Sequence, residues 1–192
     1  MPDFTKLQEQ LSTEQRTPAQ ICEAIAEIFG VRPTEVGLLS LQGDSLMFVF
    51  PTELQAAGVI PLSSSAVAAR TAAMQQALVF NRFPQVPHHT IFEQIKLNSE
   101  KPLSELPDPI QKLMSAPIKG ETGAVFGVLQ VCRKGMTPSI AGPDFTNDDL
   151  QRLERVARGM ASVMPDLDAQ QSQSCGEMMR FQQRRPKKRA NA

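Results

Sequence analysis

Tryptophan and tyrosine are both missing from the 192 residues. Their absence removes two of the side chains that stack on bases or flat cofactors and leaves phenylalanine and histidine for such work. Cysteine is scarce: Cys22, Cys132 and Cys175 stand far apart, with no CxxC pair. Neither a zinc site nor a redox motif is suggested, and free thiols in a reducing cytosol are expected. No apolar run approaches the ~18 residues of a membrane span, and the opening MPDFTKLQEQ lacks the apolar stretch of a signal peptide. The net charge is zero, so the whole chain has no field that would draw nucleic acid or anionic lipid. A nucleophile elbow, a P-loop and a distinctive carboxylate pair are all absent. The only histidines, His88 and His89, are adjacent, and adjacent side chains diverge on a strand or a helix, so no shared metal is expected. Together these absences predict a cytoplasmic protein that is not an enzyme and has no metal or cofactor.

Apolar residues make up 41% of the chain, enough for one core. The length fits one domain with extensions. Phe4, Leu7 and Leu11 form a short amphipathic stretch. Thr17, Pro18 and Gln20 make a capping box for a helix over 18–29, with Ile21, Ile25, Ile28 and Phe29 as its apolar stripe and Gly30 at its end. Residues 35–41 and 45–50 read as a β-hairpin around Gln42-Gly43-Asp44. Both faces of 45–50 are apolar, so the sheet is expected to be covered on both sides. Further strands are expected near 58–62, 78–80, 110–118 and 124–133. Ser63, Ser64 and Ser65 offer caps for a small helix over 65–72. One or two helical turns are expected over 90–95, followed by a long polar loop to Pro109. A last helix should start at Thr146, keep Leu150, Leu153, Ala157, Met160 and Met164 on one face, and stop at Pro165.

The order helix, hairpin, strand, small helices, two strands, helix predicts an α+β fold. The runs Ser115-Ala116-Pro117-Ile118, Val125-Phe126-Gly127-Val128-Leu129-Gln130-Val131 and Phe145-Thr146-Asn147-Asp148-Asp149-Leu150 resemble the C-terminal half of a GAF domain. The resemblance implies a central antiparallel sheet of about five to six strands, with N- and C-terminal helices on one face and small helices and loops on the other. It divides the chain into an N-terminal helical extension (1–17), a GAF-like domain (18–164) and a disordered basic tail (165–192). Gly127 would let a neighbour approach closely, and Pro117 belongs at a strand end or edge.

The family's known chemistries fit less well. Its cyclic-nucleotide-binding members carry an Asn-Lys pair and a Phe-x-x-x-Asp-Glu element. Here Lys134, Phe145 and Asp149 match, while Arg133 and Leu150 replace the Asn and the Glu. A Lys134–Asp149 ion pair is expected to pin the intervening loop. Bilin-binding relatives hold a pigment through cysteine, and Cys22 and Cys132 fall on a helix and a core strand. Free-methionine-sulfoxide reductases need reactive and resolving cysteines, and none lies between Val31 and Val131.

The resemblance then implies a regulatory or sensory domain that binds a small ligand or a partner protein and signals through a helix-mediated dimer. The alternative is a ligand-free adaptor that only dimerises. The dimer contact is expected at Phe4, Leu7, Leu11, Met160 and Met164. A ligand site is expected at Phe80, Asn81, Arg82, Phe83, His89 and Phe92, which mix rings with a few polar groups; the same rings also suit an ordinary core. In the tail, Arg180, Arg184, Arg185, Lys187, Lys188 and Arg189 stand against the single acid Glu177. They could contact nucleic acid or an anionic surface, or simply be solvated.

Overall fold

Two helices lead the chain, α1 (Thr5–Ser12) and α2 (Pro18–Phe29). The computed structural model describes residues 4–13, 16–85 and 108–170. The start of α2 is the predicted capping box: the Thr17 hydroxyl accepts the Gln20 N–H at 3.3 Å, and the Gln20 carbonyl oxygen accepts the Thr17 N–H at 3.1 Å. Gly30 ends the helix in the left-handed conformation, φ 59°. Strands β1 (Val36–Gln42) and β2 (Ser45–Phe50) form the expected hairpin. Then come β3 (Val59–Pro61), α3 (Val67–Met74), β4 (Leu78–Phe80), β5 (Ile110–Lys119), β6 (Val125–Lys134) and α4 (Asn147–Met160).

The strands build one six-stranded sheet in the order β3-β2-β1-β6-β5-β4, with every pairing antiparallel. Strand β6, last in the chain, lies in the middle beside β1 and pairs Val36 with Val131. Gly127 lets them approach closely, since a Cβ there would run into the backbone carbonyl of Leu39. Pro117 lies past the stretch Leu113–Ser115 that β4 covers, where a missing N–H breaks no ladder on that side.

One face of the sheet carries α1, α2 and α4. Ile21, Ile25 and Phe29 of α2 and Leu153, Val156 and Met160 of α4 meet Leu38, Met114, Ile118, Leu129 and Val131 of the strands. The opposite face carries α3, where Ala68, Ala69 and Ala72 pack on Leu39, Leu46, Phe48 and Val128. Both faces of β2 are thus covered.

Three local expectations are corrected. Helix α3 begins at Val67 with Ala66 as its cap and no side-chain cap bond; the small residues that fit against the sheet set its start, and the serines do not. Pro165 does not end the C-terminal helical region. Residues 164–170 are helical again, with proline accommodated in the first turn, and Leu167 is fully buried. The tail expected from residue 165 therefore begins with an ordered segment, and residues 171–192 lie outside the described residues, as do 90–95. Finally, Lys134 does not pair with Asp149. Its ammonium donates to the Thr34 carbonyl at 3.0 Å, while the Asp149 carboxylate accepts the Thr146 N–H at 2.8 Å and pairs with Arg152 at 3.2 Å. Partners three residues away on either side satisfy the carboxylate first.

The loop after β6 is held by other groups. Gln111 donates to the Gly135 carbonyl at 2.8 Å, and Lys112 to the Gly142 carbonyl at 2.5 Å and to Asp144 at 2.7 Å. Glu35 receives the Lys134 N–H at 2.6 Å, the Arg32 N–H at 2.8 Å and the Arg32 guanidinium at 3.1 Å. Burial pushes the Glu35 carboxyl up, but the Arg32 guanidinium and the two backbone N–H groups outweigh it and hold it below its ordinary value.

Candidate functional site

On the α3 side the core is split. The first cluster surrounds Leu39, Leu46, Phe48 and Val128, and the second surrounds Val67, Phe83, Ile110, Leu113 and Cys132. Between them lie three buried polar side chains, Thr71, Ser115 and Gln130. The strands place them together: Gln130 pairs with Ser115 on β5 and with Gly37 on β1. Glycine adds no side chain, so β1 itself places none beside Gln130 at this pair.

The protons in this trio can be followed. Thr71 donates to the Val67 carbonyl at 2.8 Å. Its oxygen lies 2.7 Å from the Ser115 hydroxyl, which therefore donates to Thr71 and accepts from Gln130 Nε2 at 3.2 Å. Gln130 Oε1 is left buried with no donor among the described residues. An orphaned buried acceptor costs about 1–3 kcal/mol, so this carbonyl is a feature that folding alone does not favour.

The residues expected from sequence to bind a ligand behave differently. Phe83 is buried and Phe80 half-buried in the second cluster, their rings edge-to-face at 6.4 Å. Asn81 uses both ends of its amide on one residue: Oδ1 accepts the Phe145 N–H at 2.9 Å, and Nδ2 donates to the Phe145 carbonyl at 3.0 Å. Arg82 is exposed. Three of the four are thus occupied by packing or by the chain's own backbone, and His89 and Phe92 lie outside the described residues. A separate open groove of about 940 Å³ runs between the β5–β6 turn and the end of α4, lined by Lys119, Glu121, Phe126, Glu154 and Arg158 among others. Its charges balance, and it lies between Gln75, just after α3, and the end of α4.

The model of the GAF domain matches residues 15–164. The chain belongs to the GAF family. No curated protein matches it in sequence. The GAF domain of a phosphoenolpyruvate-protein phosphotransferase from Acinetobacter superposes with a TM-score of 0.59 at 11% identity, covering 86% of this chain and 92% of that one. The corresponding domain from Coxiella burnetii gives 0.58 at 11% identity, with 86% and 91% covered. A free methionine-R-sulfoxide reductase from Neisseria meningitidis, solved with its substrate, gives 0.56 at 18% identity, with 86% and 89% covered. Likenesses this distant establish the fold.

Within this GAF domain the cysteines offer little to thiol chemistry. Cys22 and Cys132 are free and buried. Burial pushes both thiols up, Cys132 to about 12, so neither carries a thiolate at neutral pH. Among the described residues no cluster of His, Cys, Asp and Glu could hold a metal, and no helix is long and apolar enough to cross a membrane.

Three of the residues expected at a dimer contact are covered inside one chain, and the other two are partly covered. Leu7, Met160 and Met164 are 3%, 0% and 0% exposed, and Phe4 and Leu11 pack against the same cluster. Helix α1 folds back on α2, and the Arg155 guanidinium lies 5.9 Å from the Phe4 ring centre. Helical periodicity revealed a buried face; the structure gives it an intramolecular partner.

Proposed function

We propose that this GAF domain is a sensory or regulatory module that takes a small ligand on the α3 side of its sheet, at Gln130, Ser115 and Thr71. The observation that carries the reading is the Gln130 carbonyl, buried without a donor among the described residues and set between two apolar clusters. A ligand that fits would be largely apolar and present an N–H or O–H to Gln130 Oε1, since among the described residues the trio's hydrogen-bond partners are neutral. Orientation by a few polar groups within apolar walls is how small-molecule sites usually work. Occupancy would be passed to the helices on the other face and from there to another chain.

The adaptor reading has one observation in its favour: Phe80, Asn81 and Phe83 are consumed by the fold. Native mass spectrometry of protein purified from its own cells separates the two. A retained small molecule that raises the melting temperature when added back supports the sensor. Protein that carries none, and does not shift with the extracted metabolites of those cells, supports the adaptor.

A further inference from the structure

At one corner of the molecule four elements meet around Phe145. The end of β4 supplies Asn81, whose amide grips the Phe145 backbone through both its donor and its acceptor. Phe145 immediately precedes Thr146, the cap of α4. Its ring, 4% exposed, lies 4.8 Å under the Arg133 guanidinium at the end of β6. Arg133 in turn donates to the last carbonyls of α2, to Phe29 at 3.1 Å and to Gly30 at 3.4 Å. A cation on those carbonyls is favoured by the helix dipole as well as by the hydrogen bonds.

The contacts form one continuous path. Asn81 directly precedes the turn 82–85 and Phe83, which belongs to the α3-side cluster beside Gln130. The path then crosses the sheet to the start of α4 and the end of α2, the two helices on the far side. The hydrogen bonds of Asn81 go to Phe145, outside both helices, yet through Phe145 and Arg133 it is connected to both.

We infer that Asn81 is a positioning residue: a strut that ties the α3 side of the sheet to the ends of α2 and α4, so that a change at the ligand side moves both helices together. The regulatory meaning rests on the ligand reading proposed above; the mechanical coupling does not. Real coupling must be reciprocal, since each end biases the same equilibrium.

The test is amide hydrogen exchange on the full chain. N81A removes two hydrogen bonds, and local opening should rise by roughly tenfold or more at Phe145, Asp149 and Leu150. It should rise by several-fold at Gly30 and Val31, whose N–H groups bond to Glu27 and Ala26 and not to Asn81. R133A should in turn speed exchange at Gln85, whose N–H donates to Arg82 at 3.1 Å. L54A, in the other α3-side cluster, serves as the control for general destabilisation. The conservative variant N81D keeps an acceptor for the Phe145 N–H but sets a carboxylate oxygen against the Phe145 carbonyl. Protonation restores the missing donor, so the grip, and with it protection at Gly30 and Val31, should return in N81D as pH falls through the carboxyl range, after correction for intrinsic rates. Effects of N81A confined to Phe145 and α4, or equal at every amide to those of L54A, would overturn the strut. Absence of any retained ligand in native mass spectrometry would remove the regulatory meaning while leaving the coupling measurable.

Discussion

Replacing Gln130 with methionine should make the ligand-free protein more stable. Methionine matches the length and much of the shape of glutamine and removes the carbonyl that lacks a donor among the described residues. The gain is the desolvation cost of that orphan, about 1–3 kcal/mol. Against it stands the loss of the Nε2 bond to Ser115, worth about 1 kcal/mol. Ser115 is not stranded, because Thr71 remains 2.7 Å away. The balance favours the variant by about 1 kcal/mol, which in a chain of this size is roughly 2–4 °C in melting temperature. Differential scanning fluorimetry without ligand reads the first half of the claim. The second half is a lost response: a ligand at about a hundred times its Kd stabilises the wild type by about 2.7 kcal/mol through mass action, and Q130M should show little of that. Such an exchange of stability for function is common where a site holds a strained or unsatisfied group. A Q130M variant that melts several degrees below the wild type would show that the carbonyl has a partner, for instance a buried water, and would refute the reasoning.

Two further outcomes follow from the sheet and its edge. Gly127→Ala places a methyl against the Leu39 backbone carbonyl and close to Met164; backbone yields less readily than a side chain, so the cost should reach about 3 kcal/mol and the melting point should fall by about 6–12 °C. Glu35→Gln should cost about 2 kcal/mol at pH 7, since hydrogen bonds to a charged group are the strong ones. Because the folded protein holds the Glu35 carboxyl below its unfolded value, the stability it contributes is present above the unfolded pKa of about 4.3 and lost as pH falls through the folded pKa. Urea titrations of the two proteins should therefore converge in acid, and a gap that persists at pH 2 would contradict the assignment.

Local features were legible in the sequence. A capping box is written within four residues, and Thr17 with Gln20 formed as read. The hairpin around Gly43 and the strands near 59, 78, 110 and 125 are local patterns too. Features that depend on distant partners were less legible. Thr146 and Asp149 satisfy each other, which leaves Lys134 to find Thr34, a contact that no spacing announces. The stripe on α1 declared a buried face without saying what buries it. Asn81 looked like a ligand group because it is polar among phenylalanines, but its partner Phe145 lies far along the chain. The trio at Gln130 left a fainter trace: Ser115 and Gln130 are polar positions in the middle of otherwise apolar strands, and α3 brings Thr71 to them.

The central place of β6 shapes how this molecule is made. During synthesis β1 emerges early, pairs with β2, and then waits with its other edge bare. Its permanent neighbour is translated only after everything from β2 to β5. At about 5–20 residues per second that interval is on the order of ten seconds, long enough for an unpaired apolar strand to meet another nascent chain. Slowed translation between β2 and β6 should therefore lower the yield of soluble protein without altering the finished structure.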